Sequence, residues 1–171
     1  MNNMTFDTAI ALVALLVSLL TFGASIIFWR RQFRPIVTAA IRTHVAGTQA
    51  ITYNLVLLNS GTIPAKNIVL GVDELTLVAA LGDDATTENK TRWLACFSAT
   101  PRIRILHNGD RTSCSFGTTQ IGNSGFWKNR ATISITIKYE GWFGLSYTQQ
   151  QMLEVVDSAS FTGYMWGDGH A

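Results

Sequence analysis

Charge is scarce in this chain: of 171 residues only 14% are Asp, Glu, Lys or Arg, against 47% hydrophobic. Soluble domains carry about 25% charged residues, so this balance speaks against an ordinary cytosolic protein. It also excludes a long disordered chain, in which charge must outweigh apolar surface. The net charge is +2 and there is no arginine-rich block, which excludes a dedicated nucleic-acid binder. Cysteine is limited to Cys96 and Cys114, 18 positions apart and outside any C-x-x-C motif. His44, His107 and His170 stand isolated, in no metal-like arrangement with other ligand types. Gly163 to Gly169 has the glycines of a phosphate loop but no lysine and no strand-to-helix setting. Asp83 and Asp84 lie in GDDATTENK, which lacks the alternating ligands of a calcium loop. No serine sits in G-x-S-x-G. These absences nominate no catalytic residue, no cofactor site and no metal site, and the expectation is a non-enzymatic protein.

What is present begins with one long apolar run. Thr8 to Trp29 is 22 residues without a charge, and as a helix it spans roughly 33 Å, enough to cross a hydrocarbon core of about 30 Å. No basic residue precedes it, as an export signal would require, so it reads as an uncleaved transmembrane anchor. Residues 1–7 form a short tail, 8–29 the membrane helix and 30–35 a basic juxtamembrane linker. Arg30, Arg31 and Arg34 follow the run and no Lys or Arg precedes it. Basic residues stay on the cytoplasmic side, which puts the N-terminus outside and the main domain in the cytoplasm. Trp29 and the three arginines occupy the interface, where arginines contact anionic lipid headgroups. Ala11, Ala14, Ser18, Thr21 and Ser25 recur at spacings of 3, 4, 3 and 4, drawing a stripe of small residues along the helix. Such a stripe lets another membrane helix approach closely, with Ser and Thr able to hydrogen-bond across the contact. A lone anchor whose small residues merely align is the plainer alternative.

From Ile36 to Asp157 the pattern changes to short β-rich segments separated by turns. Expected strands cover Ile36–His44, Ile51–Leu58, Asn67–Val72, Arg102–Leu106, Thr112–Phe116, Ala131–Tyr139 and Leu145–Val156. Leu75–Ala80 reads as a further short strand, with a helical turn as the alternative, and Gly82–Lys90 as an exposed polar loop. The strongest alternation is Ile133, Ile135, Ile137 and Tyr139 on one side against Thr132, Ser134, Thr136 and Lys138 on the other. Seven or eight antiparallel strands without a second clear helix mean an all-β sandwich or barrel, read here as a sandwich over 36–157, followed by an aromatic and glycine-rich tail, 158–171.

Two turns carry a family likeness. Asn59 to Ile68, NSGTIPAKNI, resembles the N-x-G-x-x-x-A-x-N-[IV] turn of bacterial immunoglobulin-like modules, including the CARDB (cell-adhesion-related) type. Leu106 to Asp110, LHNGD, is similar to their L-x-P-G-[DE] turn, with Asn108 in place of the proline. The resemblance implies an immunoglobulin-like fold and a bacterial protein. With the anchor, it implies a place in the inner (cytoplasmic) membrane. Such modules are structural or binding domains, frequently exported, and in an exported chain the two cysteines become disulfide candidates. In the cytoplasm they are expected reduced and buried as small hydrophobes.

Aromatic loops are the other interaction signal. Phe126 and Trp127 lie in one loop, Trp142 and Phe143 at a hairpin tip, and Tyr164 and Trp166 in the tail. Exposed aromatics anchor protein interfaces; the alternative is that they fold over the ends of the sandwich and close its core. The leading expectation is an accessory or scaffold subunit of a larger membrane assembly. Its partners would be other integral-membrane subunits or a second copy of itself, with no nucleic acid. A membrane-anchored ligand sensor or signalling effector, and an exported adhesion-type module, are the alternatives.

Overall fold

The computed structural model describes residues 6–98 and 103–157. The chain divides into two units, Met1–Arg34 and Pro35–Ala171. The first unit is helix α1, Phe6–Gln32, with Arg30 and Arg31 in its last turn. There their positive charges meet the partial negative charge of the helix C-terminus. Pro35 follows and disfavours helical backbone in the residue before it. Ser18, Thr21 and Ser25 sit inside an apolar helix at little cost because each hydroxyl donates back to the carbonyl four residues earlier. Those carbonyls belong to Ala14, Val17 and Thr21, at 2.9, 2.8 and 2.8 Å.

The second unit is mostly β. Its strands are β1 Val37–Ala46, β2 Ala50–Asn59, β3 Ala65–Val72, β4 Ile103–Leu106, β5 Arg111–Gln120, β6 Thr132–Glu140 and β7 Ser146–Glu154. They form two antiparallel sheets, β1-β2-β5 and β4-β3-β6-β7. Period-2 alternation sends Val37, Ala39 and Ile41 of β1 and Leu55 and Leu57 of β2 into a common core. They meet Ile68 and Leu70 of β3 and Ile133, Ile135 and Ile137 of β6 there. The strands expected from sequence correspond to these seven, with ends displaced by a few residues.

Two corrections concern the connection between β3 and β4. Leu75–Ala80, read first as a strand, belongs to helix α2, Glu74–Ala80. Asp73 caps it, its carboxylate accepting from Thr76 N at 2.9 Å, and Glu74 stands in the first turn. The apolar residues alone could not decide this, because a run of six has no room for a period; the cap decided it. The second half of the expected loop Gly82–Lys90 is likewise helical: α3, Thr87–Trp93, is capped by the Thr86 hydroxyl. A 3₁₀ turn, Ala95–Phe97, follows.

Asn59 holds the sheets together at one end. It is fully buried, and its side-chain amide makes four hydrogen bonds. Oδ1 accepts from Ile36 N at 3.2 Å and Gly61 N at 3.0 Å, and Nδ2 donates to Ile63 O at 2.8 Å and Leu106 O at 3.1 Å. Its backbone adds Asn59 N to Asp110 O at 3.1 Å and Gly109 N to Asn59 O at 2.8 Å. One residue therefore joins the entry to β1, the β2–β3 turn and the β4–β5 turn. Further along the first of these turn sequences, Asn67 has φ +50 where β3 slips register against β6. Asn tolerates that left-handed backbone better than most residues.

The two flanks of the core differ. On one, β1 lies beside β7, and Gln151 bridges them as a short piece of strand would. Its Oε1 accepts from Ala39 N at 3.0 Å and its Nε2 donates to Ala39 O at 2.6 Å. Thr43 Oγ1 donates to Asp157 Oδ1 at 2.7 Å on the same flank. On the other flank the edge strands are β4 and β5. β4 has four residues to the ten of β5, so among the described residues much of β5 has no strand facing it.

Asn59→Ala should destabilise the detergent-solubilised chain by about 3 kcal/mol or more, since four backbone groups lose their partner at once. Asn59→Asp should be nearly as damaging at neutral pH, because a carboxylate would face two carbonyl oxygens. Chemical denaturation measures both; a loss below about 1 kcal/mol, the worth of a single ordinary hydrogen bond, would remove Asn59 from this role.

Candidate functional site

The residues nominated for the membrane lie where a bilayer or another helix would meet them. Ala11, Ala14, Ser18, Thr21 and Ser25 are all on the exposed surface of α1. The three hydroxyls spend their protons within the helix, so what they offer a neighbour is an acceptor lone pair on a small side chain. α1 is long and apolar enough to cross a membrane from Thr8 to Gln32. At its C-terminal end Trp29 packs edge-on against Phe33 with ring centroids 5.1 Å apart. Arg30, Arg31 and Arg34 are exposed.

The aromatic loops divide. Phe126 and Trp127 are buried completely, which corrects their nomination as exposed docking residues in favour of core closure. The segment that carries them pairs with the start of the β3–β4 connection. Gly82 N donates to Phe126 O and Lys128 N to Ala80 O, at 2.8 and 2.9 Å, and Leu81 bridges Trp127. Gly82 is required here, since a Cβ would stand 2.4 Å from the Gly125 carbonyl oxygen. Trp127 stacks on Phe116 at 4.8 Å and meets the edge of Phe126 at 4.7 Å. Its indole N–H donates to the Phe116 carbonyl, so the polar end of the ring is satisfied inside the core. The pocket for these rings is made by a bulge in β5. Phe116 and Gly117 together oppose Tyr53, and Gly117 takes φ +88 with the two aromatic rings where a Cβ would be.

Trp142 stays 48% exposed in the 3₁₀ turn Trp142–Gly144 between β6 and β7. Phe143 shares that turn. Tyr164 and Trp166 lie outside the described residues. Sequence reading passed over the outer face of α2, where Leu75 and Val78 are 83% and 67% exposed. Their i, i+3 spacing is a signal that becomes readable once the segment is known to be a helix.

The open flank holds the chemistry. A cleft of about 160 Å³ lies there, lined by Leu55, Leu57, Ile68, Leu70 and Ile103, with Cys96 and Thr112–Cys114 among its walls. Cys114 is directly opposite Leu55 in register, so it is an inward-facing position of an edge strand. It is nevertheless exposed, because β4 is too short to cover it. Cys96, on the 3₁₀ turn after α3, is half-buried across from it. The expectation of two buried cysteines is corrected accordingly. The Cys96 thiol donates to the Trp93 carbonyl at 3.9 Å, and both cysteines stand on the wall of this cleft. Hydrogen bonding toward Cys114, followed by burial and the nearness of the Cys114 charge, pushes the Cys96 thiol up. The same hydrogen bonding holds Cys114 below the usual thiol range despite partial burial. Elsewhere in the core, burial raises Tyr53 above the usual phenol range, partly offset by its 3.0 Å hydrogen bond with Thr119. Among the described residues no three His, Cys, Asp or Glu side chains gather into a metal-like group.

Trp127→Ala should cost roughly 3–5 kcal/mol of stability, the range for emptying a large aromatic from a core, whereas Trp142→Ala should stay within about 1 kcal/mol. Equal losses in denaturation would contradict the division drawn between them. Alkylation by iodoacetamide should modify Cys114 first and at a lower pH than an ordinary thiol, since the thiolate is the nucleophile. Cys96 should follow only when the chain is unfolded. Site-resolved mass spectrometry across a pH series reads the order, and prior labelling of Cys96 would reverse the assignment.

A family model described as a domain of unknown function (DUF8453) matches residues 4–157. No curated protein and no solved structure matches significantly. The matched span runs through α1 and all seven strands, and the chain is a member of the DUF8453 family.

Proposed function

We propose that this protein is a non-enzymatic, single-span membrane protein that serves as an accessory or scaffold subunit of a larger membrane assembly. The observation that carries this is the surface of α1. Its large apolar side chains, from Phe6 to Trp29, are 42% to 80% exposed, an arrangement that water penalises and a bilayer or partner helix relieves. The small-residue stripe on that surface supports a packing role, because backbones can approach closely along it. Arg30, Arg31 and Arg34 after the span and the absence of Lys or Arg before it support an N-terminus outside and a cytoplasmic domain. The same arginines suit anionic headgroups of a bacterial inner membrane.

The β unit reads best as an immunoglobulin-like sandwich. That fold places its first, second and fifth strands in one sheet and the third, sixth and seventh in the other. The order β1-β2-β5 and β4-β3-β6-β7 matches this for six strands and departs at the fourth, which the constant-type layout keeps with the first sheet and which here pairs with the third. In the scaffold reading, this unit docks through exposed apolar residues: Trp142 in the β6–β7 turn and Leu75 and Val78 on α2. A membrane-anchored sensor is the second reading, and the cleft of the open flank is what favours it.

Purification of the tagged protein in gentle detergent should bring down a fixed set of integral-membrane companions. Ser18→Leu combined with Thr21→Leu should deplete them several-fold, because two bulky side chains would hold the helices apart. Quantitative mass spectrometry of the eluate decides: unchanged companions on substitution would overturn the stripe as the packing face, and a solitary protein would overturn the accessory role.

A further inference from the structure

The open flank brings together two groups that the scaffold role does not use. Cys96 and Cys114 are 18 positions apart in sequence, with β4 and the β4–β5 turn between them. The fold nevertheless brings both to the wall of one cleft. They belong to different elements: Cys114 is on a sheet edge and Cys96 on a short 3₁₀ turn that leads out of α3. Cys114 is exposed and Cys96 half-buried behind it. This is the disposition of an attacking thiol that solvent oxidants reach and a resolving thiol beside it.

We infer that Cys96 and Cys114 form a thiol-oxidation site that takes a hydroperoxide and closes to an intramolecular disulfide across the open flank. In the first step the Cys114 thiolate attacks the distal peroxide oxygen. The S–O bond forms, the O–O bond breaks, and the leaving alkoxide or hydroxide takes a proton from water, so that Cys114 becomes a sulfenic acid. In the second step the Cys96 sulfur attacks the Cys114 sulfur. The S–S bond forms, the S–O bond breaks, and the Cys96 proton leaves with the departing hydroxide as water. Two thiols and one hydroperoxide thus yield one disulfide, one alcohol or water from the peroxide, and one further water. Sulfur is oxidised by two electrons and the peroxide reduced by two. A dithiol reductant reverses the change by exchange.

The consequence is local. A bond between Cys96 and Cys114 ties the 3₁₀ turn to β5 and fastens the β3–β4 connection over the cleft that Leu55, Leu57, Ile68, Leu70 and Ile103 line. The flank opposite, bridged by Gln151, is already closed. Oxidation therefore acts on the flank where the described residues form no such bridge.

The test treats the full-length detergent-solubilised protein with hydrogen peroxide and follows intact mass and tryptic peptides. The expected result is loss of two hydrogen atoms per chain, a crosslink joining peptide 93–102 to peptide 112–128, and full reversal by dithiothreitol. Cys96→Ser should leave a sulfenic acid on Cys114 that dimedone traps, and Cys114→Ser should leave Cys96 unmodified at the same peroxide dose. Crosslinks only between separate chains, or stepwise oxygen addition to both cysteines of the unsubstituted protein without a crosslink, would overturn the proposal. Dimedone capture at Cys96 rather than Cys114 would overturn the assigned order. Because the readout is covalent and independent of companions, it fails or succeeds separately from the scaffold reading.

Discussion

The structure depends on how one buried amide is satisfied. Asn59 is a polar side chain without solvent access, and burying such a group without partners costs more than most single contacts return. The fold meets that demand by directing two N–H groups and two carbonyls at it. Those four groups come from the entry to β1, the β2–β3 turn and the end of β4, so satisfying Asn59 fixes two crossings between the sheets and the entry to β1 at once. A hydrophobic residue of the same volume would fill the space and leave the crossings unregistered. Hydrophobic burial supplies the driving force for association of the sheets; this amide supplies their alignment.

The second organising feature is the inequality of the two flanks. Two sheets over one core expose four edges, and each edge offers unpaired backbone groups. Between β1 and β7 the Gln151 amide occupies the Ala39 N–H and carbonyl together, so that edge is closed by a side chain. Between β4 and β5 no equivalent bridge is formed by the described residues, and the shorter strand leaves inward-facing positions of the longer one uncovered. Helices α2 and α3 and the 3₁₀ turn travel across the connection from β3 to β4, and their C-terminal part brings Cys96 to that opening. The cleft and its thiols exist because the fourth strand is short and the connection before it is long.

Helix α1 follows a separate logic. Its hydroxyl-bearing residues sit in an apolar sequence without needing an external partner, because each bonds to its own helix. Such a helix is stable alone in hydrocarbon and equally able to pack, since no donor must be released for a neighbour to approach. The arginines after it add a favourable end for the helix dipole and a charge asymmetry across the span.

Composition and periodicity by themselves determined the apolar helix, its basic end, and the strands of the β unit, because each is written within a window of ten to thirty residues. The alternation of Ile133, Ile135, Ile137 and Tyr139 leaves little else for β6 to be. The burial of Phe126 and Trp127 was not written locally: two aromatics after a glycine in a loop look the same on a surface as in a core, and only the pairing of their segment with Leu81 and the bulge at Gly117 puts them inside. Leu75–Ala80 was undecidable for a related reason, since six residues of which five are apolar fit a strand or a helix and the capping carboxylate of Asp73 tips the balance. Cys96 and Cys114 are the furthest case. Their spacing carries no motif, and they meet because a long connection returns to an edge strand that its facing sheet fails to cover. Local order follows from short-range sterics and hydrophobic period, whereas the meeting of distant side chains follows from how whole sheets and connections pack, which no short stretch of sequence contains.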